Sequence, residues 1–336
     1  MKRFFLLLAV ALAIALAAAP LPIPVQGPQT GLLFDDVFLR HLDGVDHPEQ
    51  PARLTAIRAG LERAGLFGRL TRISPRRVTD EELMLVHSRA YVDLVRKELS
   101  GLQRTTDLST GDTVISPGSF DTAQFATGGV LNAVDAVMTR KVKNAFCAVR
   151  PPGHHATPSR GMGFCIYNHV AVAARYAQKM HGVKRVLIVD WDYHHGNGTQ
   201  DIFYDRVDVA FASIHADPAT DYPFFWGHSD EAGAGEGEGA TLNLPLPRGT
   251  DWSGYAPALA QALDWIERHG PDLLVVSFGA DTYESDPISN FKLKTSDYAP
   301  MARRIASFGV PTIVVMEGGY AIDALGPNVG AFLSGF

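Results

Sequence analysis

The strongest constraint on the fold is a series of five short apolar runs, at residues 145–149, 186–189, 209–214, 273–278 and 312–316, separated by longer amphipathic stretches. Continuous apolar runs of this length are what strands buried on both faces look like. The stretches around them carry helical periodicity at about 51–66, 79–100, 121–140, 168–181, 254–269 and 297–308. Strands alternating with helices predict a three-layer α/β/α domain with a mainly parallel, doubly wound central sheet. From about residue 31 onward no repeat and no low-complexity linker interrupts the alternation, so 31–336 is expected to be one domain. With 46% hydrophobic and 20% charged residues, the chain has ample material for such a core and is not a disordered one.

The beginning of the chain reads differently. Lys2 and Arg3 precede an uninterrupted apolar run from residue 4 to 19, rich in alanine at its end, and Pro20, Pro22 and Pro24 follow. This is the layout of a secretory signal peptide over 1–19, with an A-x-A cut after Ala17, followed by a Pro-rich segment over 20–30. Sixteen apolar residues are short for a membrane span, so no stable insertion is expected once the signal is removed. The implied location is outside the cytoplasm, in a bacterial periplasm. A net charge of −6 without a basic block excludes a nucleic-acid groove.

Each of the five apolar runs ends in residues able to do chemistry. The endings are Arg150-Pro-Pro-Gly-His154-His155, Asp190-Trp-Asp192-Tyr-His194-His195, Ser213-Ile-His215, Gly279-Ala-Asp281 and Glu317-Gly-Gly-Tyr320. In open α/β sheets, ligands bind at the carboxyl ends of the strands. Asp192 and His194, two apart on an extended segment, point the same way, and Asp281 can complete a three-ligand set. Two carboxylates and an imidazole suit a single Zn²⁺ with one position open. His154 and His155 are candidates for proton transfer, and Tyr320 for hydrogen bonding to a developing oxyanion. The competing reading has Asp190 and Asp192 capping a turn while the histidines are satisfied core groups.

Other chemistries find no support. The chain has no H-E-x-x-H, no G-x-S-x-G and no phosphate-binding loop. The glycine-rich stretch 233–239 lacks a strand–turn–helix setting and is expected to be a mobile loop, with Glu231, Glu236 and Glu238 in water. Cys147 and Cys165 are expected to be buried free thiols, since no C-x-x-C is present.

Taken together, Arg150-Pro-Pro-Gly-His-His-Ala, Gly163-Phe-Cys, Asp190-Trp-Asp-Tyr-His-His-Gly-Asn-Gly-Thr-Gln, Gly279-Ala-Asp-Thr and Glu317-Gly-Gly-Tyr resemble the histone deacetylase and acetylpolyamine amidohydrolase family. Asp46-His-Pro-Glu followed by Arg53 is similar to that family's N-terminal signature. Asp286-Pro-Ile-Ser through Phe291-Lys-Leu looks closest to the bacterial acetylpolyamine amidohydrolase branch. The resemblance implies an arginase/deacetylase-like fold, with Asp192, His194 and Asp281 as zinc ligands and His155 as general base and acid. It implies that His154 is the partner histidine oriented by Asp190, and that Tyr320 polarises the amide carbonyl. Phe164 and Tyr222 match the substrate tunnel walls, Gly163 a carbonyl contact to the amide, and Ile288 the place of a gatekeeper carboxylate. Asp190, Asp192, His194, Ser213 and Ile214 match a structural potassium site. Arg53 matches an arginine below the metal, and Asn197 stands behind His155 where some relatives carry Asp.

The implied reaction is zinc-dependent removal of an acetyl group from an acetylated amine or lysine side chain by activated water. Small exogenous amides fit an exported enzyme better than histones. A broader amidase acting on non-acetyl amides, and a non-catalytic metal- or amine-binding protein, are the alternatives, and a homo-oligomer is left open. The stretch 101–117 is short where the polyamine branch has a long insertion, which predicts a more open mouth. Asp107, Asp112 and Asp221 are acidic candidates near it.

Overall fold

The computed structural model describes residues 30–336, so the expected signal peptide, and all but the last residue of the Pro-rich segment, lie outside the described residues. Eight strands form one sheet, every neighbouring pair parallel: β1 (Gly31–Leu33), β2 (Thr71–Ile73), β5 (Asn144–Cys147), β6 (Val186–Asp190), β7 (Val209–Ala216), β8 (Thr241–Leu246), β9 (Leu273–Phe278) and β10 (Thr312–Met316). Their spatial order is β2-β1-β5-β10-β9-β6-β7-β8. A separate antiparallel pair, β3 (Thr106–Asp107) and β4 (Val114–Ile115), lies in the short stretch 101–117.

The five expected strands stand side by side within the sheet, and every residue of β5, β6, β7, β9 and β10 is buried. Three strands escape the apolar-run criterion for separate reasons. β1 is only three residues long, and β2 is a half-buried edge. β8, the opposite edge, carries Asn243 and Pro245, and proline is tolerated only where a ladder hydrogen bond can be spared.

The helices are α1 (Ala52–Arg63), α2 (Asp80–Leu83), α3 (Arg89–Leu99), α4 (Ser119–Met138), α5 (His169–His181), α6 (Asn197–Phe203), α7 (Trp252–His269), α8 (Thr295–Ala306) and α9 (Ile322–Leu333). They flank the sheet: α1, α9, α8 and α7 pack in series, and α4 packs against α5. The single helix expected over 79–100 is broken at His87. Its Nδ1 donates to the Thr157 carbonyl (3.0 Å) and its Nε2 accepts the Asn168 N–H (3.0 Å). Ser88 then caps the second helix by accepting the Tyr91 N–H. The C-terminal helix α9 is hidden in the sequence by Gly326, Pro327 and Gly330, which read as breakers. Packing gives Gly326 its purpose: a Cβ on the facing Gly60 of α1 would lie 2.4 Å from the Gly326 Cα. None of the helices among the described residues is long and apolar enough to cross a membrane.

Both cysteines are buried free thiols, as expected. The glycine-rich stretch departs from expectation at Glu231, while Glu236 and Glu238 are exposed, as expected. It makes a 3₁₀ turn at Gly235–Gly237 packed against the backbone of 204–206, and Glu231 accepts hydrogen bonds from Gln200 Nε2 (2.6 Å) and the Gly227 N–H (2.9 Å) instead of standing in water.

Candidate metal centre and substrate pocket

The carboxyl ends of β5, β6, β9 and β10 converge, as the strand order requires, and bring their terminal motifs together. Just past β6, Asp192 and His194 meet Asp281 from the end of β9. One potential ligand atom from each lies within 4.8 Å of the others. His194 Nδ1 is 3.2 Å from Asp192 Oδ1 and 3.2 Å from Asp281 Oδ2. The remaining carboxylate oxygens are tied to backbone: Asp192 Oδ2 accepts the Gly318 N–H (2.7 Å) and Asp281 Oδ1 accepts the Tyr193 N–H (3.0 Å). Gly279 and Gly318 leave the space these oxygens fill. A Cβ at either would come within 2.3 Å of a carboxylate oxygen of Asp192 or Asp281. Their place in the strand-end turns is therefore a steric requirement of the triad.

The electrostatics ask for a cation. Burial and the adjacent Asp192 carboxylate push Asp281 up to about 7. Burial lowers His194, but the Asp192 and Asp281 carboxylates outweigh it and raise the imidazole to about 10. Two carboxylate oxygens and one imidazole nitrogen so arranged fit a divalent ion.

The two histidines after β5 have opposite environments. His154 Nδ1 bonds Asp190 Oδ2 (2.9 Å), and its backbone N–H donates to Glu317 Oε2 (3.1 Å). Burial works against its protonation, but the Asp190, Asp192 and Glu317 carboxylates prevail and raise it to about 10. His155 is held well below its ordinary value by burial and by His154 and His194. Its Nδ1 lies 2.7 Å from Asn197 Oδ1, while Asn197 Nδ2 faces Met162 Sδ at 3.5 Å. Oδ1 can only accept, so the proton sits on Nδ1 and Nε2 keeps its lone pair.

Tyr320 reaches the same pocket from the turn after β10. Burial drives its phenol well above the ordinary value, against the pull of Arg53, so it stays protonated. Arg53, buried in α1, lies 4.8 Å from the Tyr320 ring centre and donates Nε to the Gly319 carbonyl (2.7 Å) and a terminal nitrogen to the Glu317 carbonyl. Its other terminal nitrogen meets Glu49 Oε1 (2.9 Å), and both Glu49 oxygens also hold Arg150 (2.6 and 2.7 Å).

A pocket of about 270 Å³ opens over the site, lined by His154, His155, Gly163, Phe164, His194, Tyr222, Ile288 and Tyr320, with Pro152 and Asp112. The Tyr222 ring stands 5.0 Å from that of His155, and the Phe164 ring 6.1 Å from that of Tyr320. Below it, register pairs Asp190 of β6 with Ser213 of β7, both buried beside Ile214.

Of the acidic candidates, Asp112 reaches the pocket, accepting the Gly163 N–H (2.8 Å) and the Tyr222 hydroxyl (3.4 Å). Asp107 is exposed on β3. Asp221 is buried and paired with Tyr193 and Arg248, so it is a structural group. Sequence reasoning gave no role to Asp286, Glu317 or Glu49. The first has a local signal, since Oδ1 accepts the Ile288 N–H two residues on, but its bond to the Tyr320 N–H (2.7 Å) spans 34 residues.

A family model described as the histone deacetylase domain matches residues 47–336. The chain belongs to the histone deacetylase family. Within it, this chain is 39% identical over 329 residues to acetylpolyamine amidohydrolase 1 of Pseudomonas aeruginosa, covering 88% of this chain and 93% of that protein. It is 48% identical over 225 residues to the acetylpolyamine amidohydrolase of Mycoplana ramosa, covering 67% and 65%. The crystal structure of the HDA15 HD domain superposes with a TM-score of 0.85 at 35% identity, covering 91% of this chain and 87% of that one. The parallel sheet with flanking helices is therefore the family's arginase/deacetylase-like α/β fold.

Proposed function

We propose that this chain is a zinc-dependent amidohydrolase that removes acetyl groups from acetylated amines of the acetylpolyamine or acetyl-lysine type. Membership of the histone deacetylase family, and the names of its acetylpolyamine amidohydrolase relatives, support hydrolysis of acetylamide bonds. The observation that carries the reading is the meeting, in one pocket, of a ligand triad, a neutral histidine with a free Nε2 and a protonated phenol. Asp192, His194 and Asp281 hold the ion, which when bound supplies Lewis acidity to the acyl carbonyl and acidifies water.

The protein's own groups divide the remaining work. His155 takes a proton from water at Nε2 and returns it to the leaving amine, with Asn197 holding the opposite nitrogen in the required tautomer. His154, tied to Asp190, keeps positive charge beside the reacting water. Tyr320 donates its hydroxyl to the oxyanion. Phe164, Tyr222 and Ile288 flank the acyl chain and its amine, and the Gly163 carbonyl accepts the amide N–H. A structural potassium ion held by Asp190, Asp192, His194, Ser213 and Ile214 belongs to the same proposal. So does export, which rests on the Lys2-Arg3 start and the apolar run that follows.

The test is acetate release by zinc-loaded protein from N-acetylputrescine and from an acetyl-lysine peptide at equal concentration. Release from either supports the reading, and the preferred substrate assigns the subclass. No acetate from either, with one metal bound, overturns it.

A further inference from the structure

The loop joining β7 to β8 carries two phenylalanines that the proposed chemistry does not use. Phe224 is 61% exposed and Phe225 53%, and the other exposed large hydrophobic side chains among the described residues are Met180 and Val207. Phe224 also has φ +72°, a left-handed conformation that costs a bulky side chain energy and persists only where the surroundings enforce it.

The surroundings do so. Before the pair, Asp221 is buried and accepts hydrogen bonds from the Tyr193 hydroxyl (2.7 Å) and Arg248 Nε (2.8 Å). The Phe224 N–H turns back onto the Asp221 carbonyl (3.0 Å). After the pair, the Gly227 carbonyl accepts from buried His215 (2.9 Å) and the Gly227 N–H donates to Glu231 (2.9 Å). The chain is pinned on both sides, and the two rings are held outward.

Phe224 is also continuous with the pocket. The Phe224 ring stands edge-on to that of Tyr222, centres 6.2 Å apart, and Tyr222 is the pocket wall against His155. The acyl group must reach His155 and His194 at the pocket's floor, so the amine side of a substrate leaves past Tyr222.

We propose that Phe224 and Phe225 form an apolar shelf outside the pocket that binds the carbon chain on the amine side of the substrate and so determine specificity for amines with long alkyl or aryl substituents. This rests on the amide-hydrolase reading above and adds to it which substrates are favoured. Burying one methylene against such a surface changes an equilibrium about fourfold.

The experiment compares N-acetyl-n-alkylamines from ethyl to octyl on the zinc-loaded wild type, the Phe224→Ser/Phe225→Ser variant and the single Phe225→Ser variant. In the wild type, kcat/KM should climb about fourfold per methylene once the chain passes the mouth, with KM carrying the change. In the double variant the dependence on chain length should be nearly flat, and in the single variant intermediate. Equal slopes in wild type and double variant overturn the shelf. A wild-type dimer that the double variant splits into monomers also overturns it, because the rings then join two copies of the chain. Binding of free n-alkylamines, followed by fluorescence of the neighbouring Trp226, separates the two readings. If no acetate is released but octylamine binds the wild type about tenfold or more tighter than the double variant, the hydrolase reading fails and the shelf stands. If acetate is released but octylamine binds both equally, the shelf fails alone.

Discussion

Asp286 accepts the backbone N–H of Tyr320 at 2.7 Å, and the same oxygen accepts the Ala321 N–H at 3.2 Å. Its other oxygen accepts the N–H of Ile288 (3.1 Å). One buried carboxylate therefore fixes the backbone of the catalytic candidate and of a pocket wall relative to each other. Asp286→Asn should lower kcat about tenfold, because the amide can satisfy only part of this set. A double-mutant cycle with Tyr320→Phe checks the reason. The two losses should be strongly non-additive, since Asp286 acts through Tyr320. Additive losses would remove this role.

Tyr320→Phe alone should reduce kcat by about 10²–10³, the scale of losing one oxyanion donor. Thermal stability should change little, because the phenol makes no hydrogen bond among the described residues. Steady-state kinetics beside a thermal melt distinguishes the two effects.

Chelation should abolish turnover and lower the melting temperature, and added Zn²⁺ should restore both. Without metal, Asp281 titrates near 7 and His194 near 10, so binding must displace protons from both. Apparent zinc affinity should rise with pH across this range, read by competition with a chromophoric chelator. An affinity that fell with pH would contradict the ligand assignment.

Glu49 sits between two buried arginines, and burial, which would raise its carboxyl, is overcome by Arg150, His41 and Arg53, which lower it to about 2. Glu49→Gln leaves both guanidinium groups without their counter-charge. The expected cost is about 3–5 kcal/mol, measured by urea unfolding. Kinetics on the folded fraction should also suffer, because Arg53 holds the turn that carries Tyr320 and Arg150 opens the segment that carries His154 and His155.

His87 makes stability depend on pH. Burial lowers it from 6.5 to about 4, since Nε2 must stay unprotonated to accept the Asn168 N–H. The unfolded chain therefore takes up this proton first as pH falls. The stabilisation is whole above about 6.5 and is lost toward pH 4, with about 2 kcal/mol gone by pH 5 from this one group. His87→Gln should unfold more easily at pH 7 but show a shallower fall between pH 7 and 5 in urea titrations.

The legible part of this chain was the part governed by short-range physics. Strands buried on both faces must be apolar throughout, so β6, β7, β9 and β10 stood out, while β8, with Asn243 and Pro245 at an edge, did not. Asp192 and His194 were readable as a pair because an extended backbone repeats its direction every two residues. Asp281 could be nominated from the end of its own strand, but not placed.

Sequence by itself determined the parallel α/β class, the ends of the strands as the seat of chemistry and the identity of the residues gathered there. Tertiary structure decided how those residues are held. Glu49 against Arg150, Asp286 against Tyr320 and Asn197 against His155 are contacts between segments 101, 34 and 42 residues apart in the chain. No local pattern encodes them, because a hydrogen bond between distant segments exists only once the sheet has set their separation.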